Sequence, residues 1–135
     1  MSLNYVAVLV VTVVGFMLGW LWYSPVLFVK PWMAEMKFTQ ESMEASKPQM
    51  PLLFGKSLLF TFLSTFALAA LIKAHGSENW MKGAEFGLFI GAVVVGTRLL
   101  NGGLWEQRSL KLQAINVGHE VALFTLQGAI LGFWR

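Results

Sequence analysis

Asn116, Glu120 and Gln127 recur at helical spacing, so one helix would carry all three on one face. His119 flanks that face, and the surrounding residues are almost wholly apolar. Ionisable groups in an apolar segment cost free energy unless they are paired, hydrated or used. Amide, carboxylate and imidazole on one stripe could line a polar pathway, hold a ligand or tie helices together. A metal is not expected. Neighbouring positions on a helix point ~100° apart, so His119 and Glu120 do not readily chelate one ion. Arg98 lies seven residues beyond Gly91 and is expected on the same helix face, with Asn101 a turn further on. Its depth should match that of Glu120. The sequence therefore predicts an Arg98–Glu120 ion pair, the alternative being an arginine that snorkels to the headgroups. Trp20, Trp22 and Tyr23 close the first apolar stretch near the same end. They form either an interfacial aromatic belt or part of a ligand site.

The elements that must position these groups follow from composition. The chain has 135 residues, 56% of them hydrophobic and 13% charged. A water-soluble domain of this size cannot hide so much apolar surface, whereas a lipid solvent removes the difficulty. Four stretches reach the ~20 apolar residues of a membrane span, at about 3–23, 52–72, 81–100 and 112–134. The fold expected is all-α, one polytopic four-helix transmembrane bundle with short loops. The N-terminus lacks a basic leader, so the first stretch reads as a retained helix. Residues 30–51 form a polar connection, expected as either a short amphipathic surface helix or an irregular loop. Residues 73–80 and 101–111 read as tight connections rich in glycine and polar groups.

Small residues recur four apart in every span: Gly15 and Gly19; Ser57, Thr61, Thr65 and Ala69; Gly83, Gly87 and Gly91; Gly128 and Gly132. In a membrane such rows let backbones approach, within one chain or between copies, and a homo-oligomer is expected. Short words recur in the two helical hairpins, Gly19-Trp20-Leu21-Trp22 beside Gly102-Gly103-Leu104-Trp105, which allows a parallel two-hairpin pseudo-repeat. The positive-inside rule places the first and third connections in the cytoplasm, because Lys30, Lys37, Lys47, Lys56, Arg98, Arg108 and Lys111 outnumber Lys73, Lys82 and Arg135. Both termini then lie outside.

The net charge of +3 is too small to suggest nucleic acid, and the absence of cysteine excludes thiolate chemistry and disulfides. No phosphate loop, dinucleotide fingerprint, nucleophile elbow or zinc-protease signature is present, so no cofactor is expected. His75 and His119 fall near opposite ends and do not make a haem pair. An enzyme at the cytoplasmic interface using Glu120, His119 and Arg108 ranks last. The leading expectation is a non-enzymatic homo-oligomeric bundle, in contact with membrane lipids, that binds a lipid, a small apolar or amphipathic ligand, or a partner protein. The alternative is a small oligomeric transporter or channel using Asn116, Glu120 and Gln127. Trp20, Trp22, Tyr23, Arg98, Asn101, Asn116, His119, Glu120 and Gln127 are the candidate ligand-binding residues.

The run Leu18-Gly19-Trp20-Leu21-Trp22-Tyr23-Ser24-Pro25-Val26-Leu27-Phe28, with Lys30 and Trp32, resembles the opening of the bacterial membrane family catalogued as domain of unknown function 1761. Asn101, Leu104-Trp105-Glu106, Arg108-Ser109-Leu110-Lys111-Leu112, Ile115-Asn116, Gly118 and Gly128-Ala129-Ile130-Leu131-Gly132 extend the likeness. The resemblance implies a multi-pass protein of the bacterial inner membrane, with both termini periplasmic in the orientation given above. An aromatic commonly stands in that family where this chain has His119, which makes the histidine a departure. The family carries no activity to transfer.

Overall fold

The computed structural model describes residues 3–134, which contain helices and no strand. Seven α-helices follow in order: α1 (Tyr5–Trp22), α2 (Val29–Met36), α3 (Gln40–Ser46), α4 (Met50–His75), α5 (Trp80–Phe89), α6 (Thr97–Trp105) and α7 (Leu110–Phe133). A π-helical segment, Ile90–Gly96, joins α5 to α6 without a break. Four continuous helices are long and apolar enough to cross a membrane: Tyr5–Trp22, Gln40–His75, Trp80–Trp105 and Leu110–Phe133.

The ends follow local chemistry. Asn4 caps α1 by accepting from the Ala7 N–H at 3.1 Å. Asn79 and Ser109 cap α5 and α7 in the same way, accepting from Lys82 and Leu112. Gly76 ends α4 at φ 78°, and its left-handed conformation lets the N–H groups of Gly76 and Ser77 reach the Ile72 carbonyl. Gly76→Ala should therefore cost about 1 kcal/mol through backbone strain alone, read from unfolding midpoints in detergent.

Residues 30–51 turn out mostly helical. Thr39 and Ser42 form a reciprocal capping box that starts α3. A short 3₁₀ turn, Lys47–Gln49, then leads into α4. Pro48 and Pro51 each fall in the first turn of a helix, where a missing N–H is harmless. The third connection is also shorter than the sequence predicts. Asn101, Gly102 and Gly103 are the last turns of α6, and the chain reverses only over residues 106–109.

The core sits where α1, α4 and α7 meet. Ala7, Val8 and Val11 of α1 pack with Leu68, Ala69 and Ile72 of α4 and with Phe124 and Leu131 of α7. At its centre Gln127 is fully buried, and its Nε2 donates to the Val11 carbonyl at 3.2 Å and to Thr65 Oγ1 at 2.9 Å. The Thr65 hydroxyl in turn donates to Thr61, so the three helices share one hydrogen-bonded chain.

α5 and α7 touch along a seam of glycines. A Cβ on Gly83 would overlap the Gly128 carbonyl, and one on Gly87 would overlap that of Phe124. Gly91 leaves 2.9 Å between such an atom and the Glu120 carbonyl. Backbone here meets backbone, giving dispersion contacts and weak Cα–H···O contacts that larger residues would forbid.

The π-helical segment changes the phase of the third span. Gly83, Gly87 and Gly91 are buried at intervals of four, but the next buried glycine is Gly96, five residues on. A π turn accommodates one extra residue in the helix, and here it contains the β-branched run Val93-Val94-Val95 between two glycines. Positions beyond it are rotated by roughly one residue's angle, ~100°. Gly103 therefore reaches the interface, seven residues after Gly96, whereas Arg98 turns outward.

Candidate functional site

The segment Trp22-Tyr23-Ser24-Pro25 ends α1 and turns its aromatics onto α7. Ser24 is buried, its hydroxyl donating to the Leu21 carbonyl at 2.6 Å, and its backbone N–H takes the same acceptor. Trp22 Nε1 donates to the Ile115 carbonyl at 3.0 Å. Its indole lies in a notch made by Gly118, where an added Cβ would come within 3.1 Å of the ring. The Tyr23 hydroxyl donates to Asn116 Oδ1 at 2.9 Å. Tyr23→Phe should cost about 0.6 kcal/mol, the usual worth of a hydrogen bond between membrane helices, measurable by denaturant titration in mixed micelles.

His119 lies between the two aromatics. Its ring centroid is 5.3 Å from that of Tyr23 and 6.1 Å from that of Trp22. Nδ1 sits 3.2 Å from Glu120 Oε1, a bond that the carboxylate can only accept. With Glu120 as the carboxylate acceptor, Nδ1 is the donor of this bond. Nε2 is buried with no hydrogen-bond partner and faces Gly19, where an added Cβ would stand 3.2 Å away. Glycine at position 19 makes room for the imidazole.

Beside this cluster opens a cleft of about 490 Å³. Its walls come from α1, the α1–α2 turn, α2, α3, the start of α4, and α7. Trp20, Tyr23, Trp32 and Phe54 supply aromatic surface, Met43 and Met50 flexible apolar surface, and Ser24, Ser57, Thr61 and His119 polar groups. The aromatic lining continues outward through ring contacts of Trp32 with Tyr23, at 5.8 Å, and with Phe38, at 5.3 Å. Trp20 is 69% exposed, so it forms the rim rather than the floor.

The nine candidate residues thus divide. Trp20, Tyr23 and His119 line the cleft, with Trp22 and Glu120 directly behind them. Asn116 accepts from Tyr23 and also lines a separate hollow of about 290 Å³ between α6 and α7, together with Arg98. Asn101 is exposed and lines neither. Gln127 belongs to the core. Arg98 makes no ion pair with Glu120, whose carboxylate partner is His119. The rotation imposed by the π-helical segment accounts for this, since it removes Arg98 from the glycine face on which the pairing depended.

Phe16, Phe54, Met43, Met50 and Trp32 belong to the cleft and were not among the nine candidates. Met43 carried a signal, as one of the apolar residues interrupting the polar stretch between the first two spans. Phe54 and Met50 carried none, because apolar residues at the start of a span look the same whether they face lipid or a cleft.

Among the described residues the fold is all-helical, with four helices long and apolar enough to cross a membrane, cross-tied by a buried glutamine and a glycine seam, which is compatible with a polytopic helical membrane protein. The chain belongs to the family described as Protein of unknown function (DUF1761), whose model matches residues 6–132. No curated protein and no solved structure matches it.

Proposed function

We propose that this protein is a non-enzymatic, membrane-embedded binding protein that holds a small apolar or amphipathic ligand in the aromatic cleft between α1, α4 and α7. The observation that carries the reading is the cleft itself. It is large enough for part of a lipid or a drug-sized molecule, mostly apolar, and furnished with a few converging polar groups, the usual make-up of a ligand site. The unpartnered Nε2 of His119 in its wall adds a buried polar atom of the kind native structures rarely leave unmatched.

The proposed setting is a bacterial inner membrane, with the α2–α3 segment cytoplasmic and both termini periplasmic. The charge asymmetry of the connections supports that orientation. We further propose that copies associate. Ala84 of α5 and Gly118, Ala122 and Ala129 of α7 leave an apolar depression on the outer face of that pair, suited to close approach by another helix.

A transport pathway along Asn116, Glu120 and Gln127 has less support. Each of the three is engaged with a neighbour inside the chain, and Gln127 is wholly enclosed.

The test is tryptophan quenching by brominated phosphatidylcholine and by a brominated fatty alcohol in nanodiscs. A ligand in the cleft quenches Trp32 saturably, and Ser57→Phe, which adds bulk at an exposed lining position, should abolish the saturable component. Quenching that rises linearly and ignores Ser57→Phe would reject the site.

A further inference from the structure

The polar groups on the buried side of the cleft have a common feature. The Ser24 hydroxyl donates to Leu21, that of Thr61 to Ser57, and that of Tyr23 to Asn116. The Nδ1 hydrogen of His119 is committed to Glu120, so in the neutral imidazole Nε2 presents a lone pair. Each of these groups has its own hydrogen engaged within the protein and can offer an incoming group only an acceptor. The free donors are the hydroxyl of exposed Ser57 and the neutral indole N–H groups of exposed Trp20 and half-buried Trp32.

Charge points the same way. No lysine or arginine is among the described residues lining the cleft, and exposed Lys56, though next to Ser57, does not line it. Behind the imidazole stands the Glu120 carboxylate, its side chain only 25% exposed and without a lysine or arginine ion-pair partner among the described residues. The walls carry the faces of Trp20, Tyr23 and Trp32, which attract cations through their ring quadrupoles. An anionic head, whether phosphate, sulfate or carboxylate, would meet lone pairs and a negative charge with nothing to neutralise it.

Building on the ligand-binding reading above, we infer that the cleft selects lipophilic cations whose heads donate hydrogen bonds, alkyl- or arylammonium ions, over neutral and anionic amphipaths of the same length. The alkyl part lies against Met43, Met50 and Phe54. The ammonium hydrogens face the Thr61 hydroxyl, with buried Ser24 and the buried Nε2 of His119 behind it and Glu120 supplying the field.

Three ten-carbon probes separate the possibilities: decylammonium, decanol and decyl sulfate. Each is titrated at pH 8 into full-length protein in zwitterionic phosphatidylcholine nanodiscs, scoring the saturable change in tryptophan emission that Ser57→Phe removes. The ammonium should bind at least about 10-fold more tightly than the sulfate, with decanol between them. Glu120→Gln should weaken decylammonium about 10-fold and leave decanol unchanged, the alcohol reporting that the cleft is intact. Equal affinities, a preference for the sulfate, or a Glu120→Gln variant that keeps the full ammonium affinity would overturn the selectivity while leaving a binding cleft. No saturable change with any of the three would overturn the cleft reading as well.

Discussion

Gly87→Val should unfold this protein at markedly lower denaturant than the parent, with a loss of about 3 kcal/mol or more. A Cβ at this position runs into the Phe124 carbonyl, which is backbone and cannot rotate away. Overpacking a soluble core typically costs ~1–3 kcal/mol because side chains shift to relieve it. Here only separation of α5 from α7 gives relief, and that forfeits the contacts made on either side by Gly83 and Gly91. Gly102→Ala provides the contrast. Nothing lies within 4 Å of a Cβ there, and the residue is helical. Replacing glycine by alanine in a helix gains about 0.5–1 kcal/mol, so the two glycine substitutions should move stability in opposite directions. Comparable losses at Gly87 and Gly102 would contradict the seam.

The second large effect is expected at Gln127. Gln127→Ala removes two hydrogen bonds and opens a cavity where α1, α4 and α7 meet, at a cost of about 2–4 kcal/mol by analogy with large-to-small core changes. Gln127→Leu should recover most of it and end within about 1 kcal/mol of the parent. Leucine keeps most of the volume, and Thr65 retains its bond to Thr61. The change also removes Oε1, a buried acceptor without a partner. Interhelical hydrogen bonds in membranes contribute modestly, so volume should matter more than polarity here. Equilibrium unfolding in mixed micelles distinguishes the pair of variants. A leucine variant as unstable as the alanine one would show that the amide, not its bulk, holds the junction.

Much of this architecture can be read from the chain because hydropathy is a length signal. Four apolar runs of the right length match four membrane-length helices; α1, α4 and α7 lie within a few residues of the first, second and fourth runs, although the continuous helix that contains α4 already starts at Gln40. The third span is the exception at its C-terminal end, where Gly102-Gly103 looks like a turn yet continues a helix. The glycines are there for contact: a Cβ on Gly103 would come within 2.7 Å of the Gln113 side chain. The π-helical segment left no trace in the residue periodicity used to place Arg98. One extra residue per turn shifts every later position, so the Arg98–Glu120 pairing failed although both residues lie near the same end.

On the site, spacing placed Asn116, His119 and Glu120 correctly on α7 but could not show what each would meet. Tyr23 reaches Asn116 because the Ser24-Pro25 turn aims it there, a matter of backbone geometry across 93 residues of sequence. The polar residues 30–51 gave little sign that α3 would lead directly into α4 and bring Met43 and Met50 to the same cleft.

On the proposed function, this cleft is occupied by a ligand in the membrane. Native mass spectrometry of protein released gently from its own membranes can detect that ligand and so test the proposal. The parent should carry a bound amphipathic species of defined mass at up to one copy per chain, and Ser57→Phe, equally well folded, should lose it. Parent and variant emerging with the same bare mass, or with the same unselective spread of lipid, would contradict it.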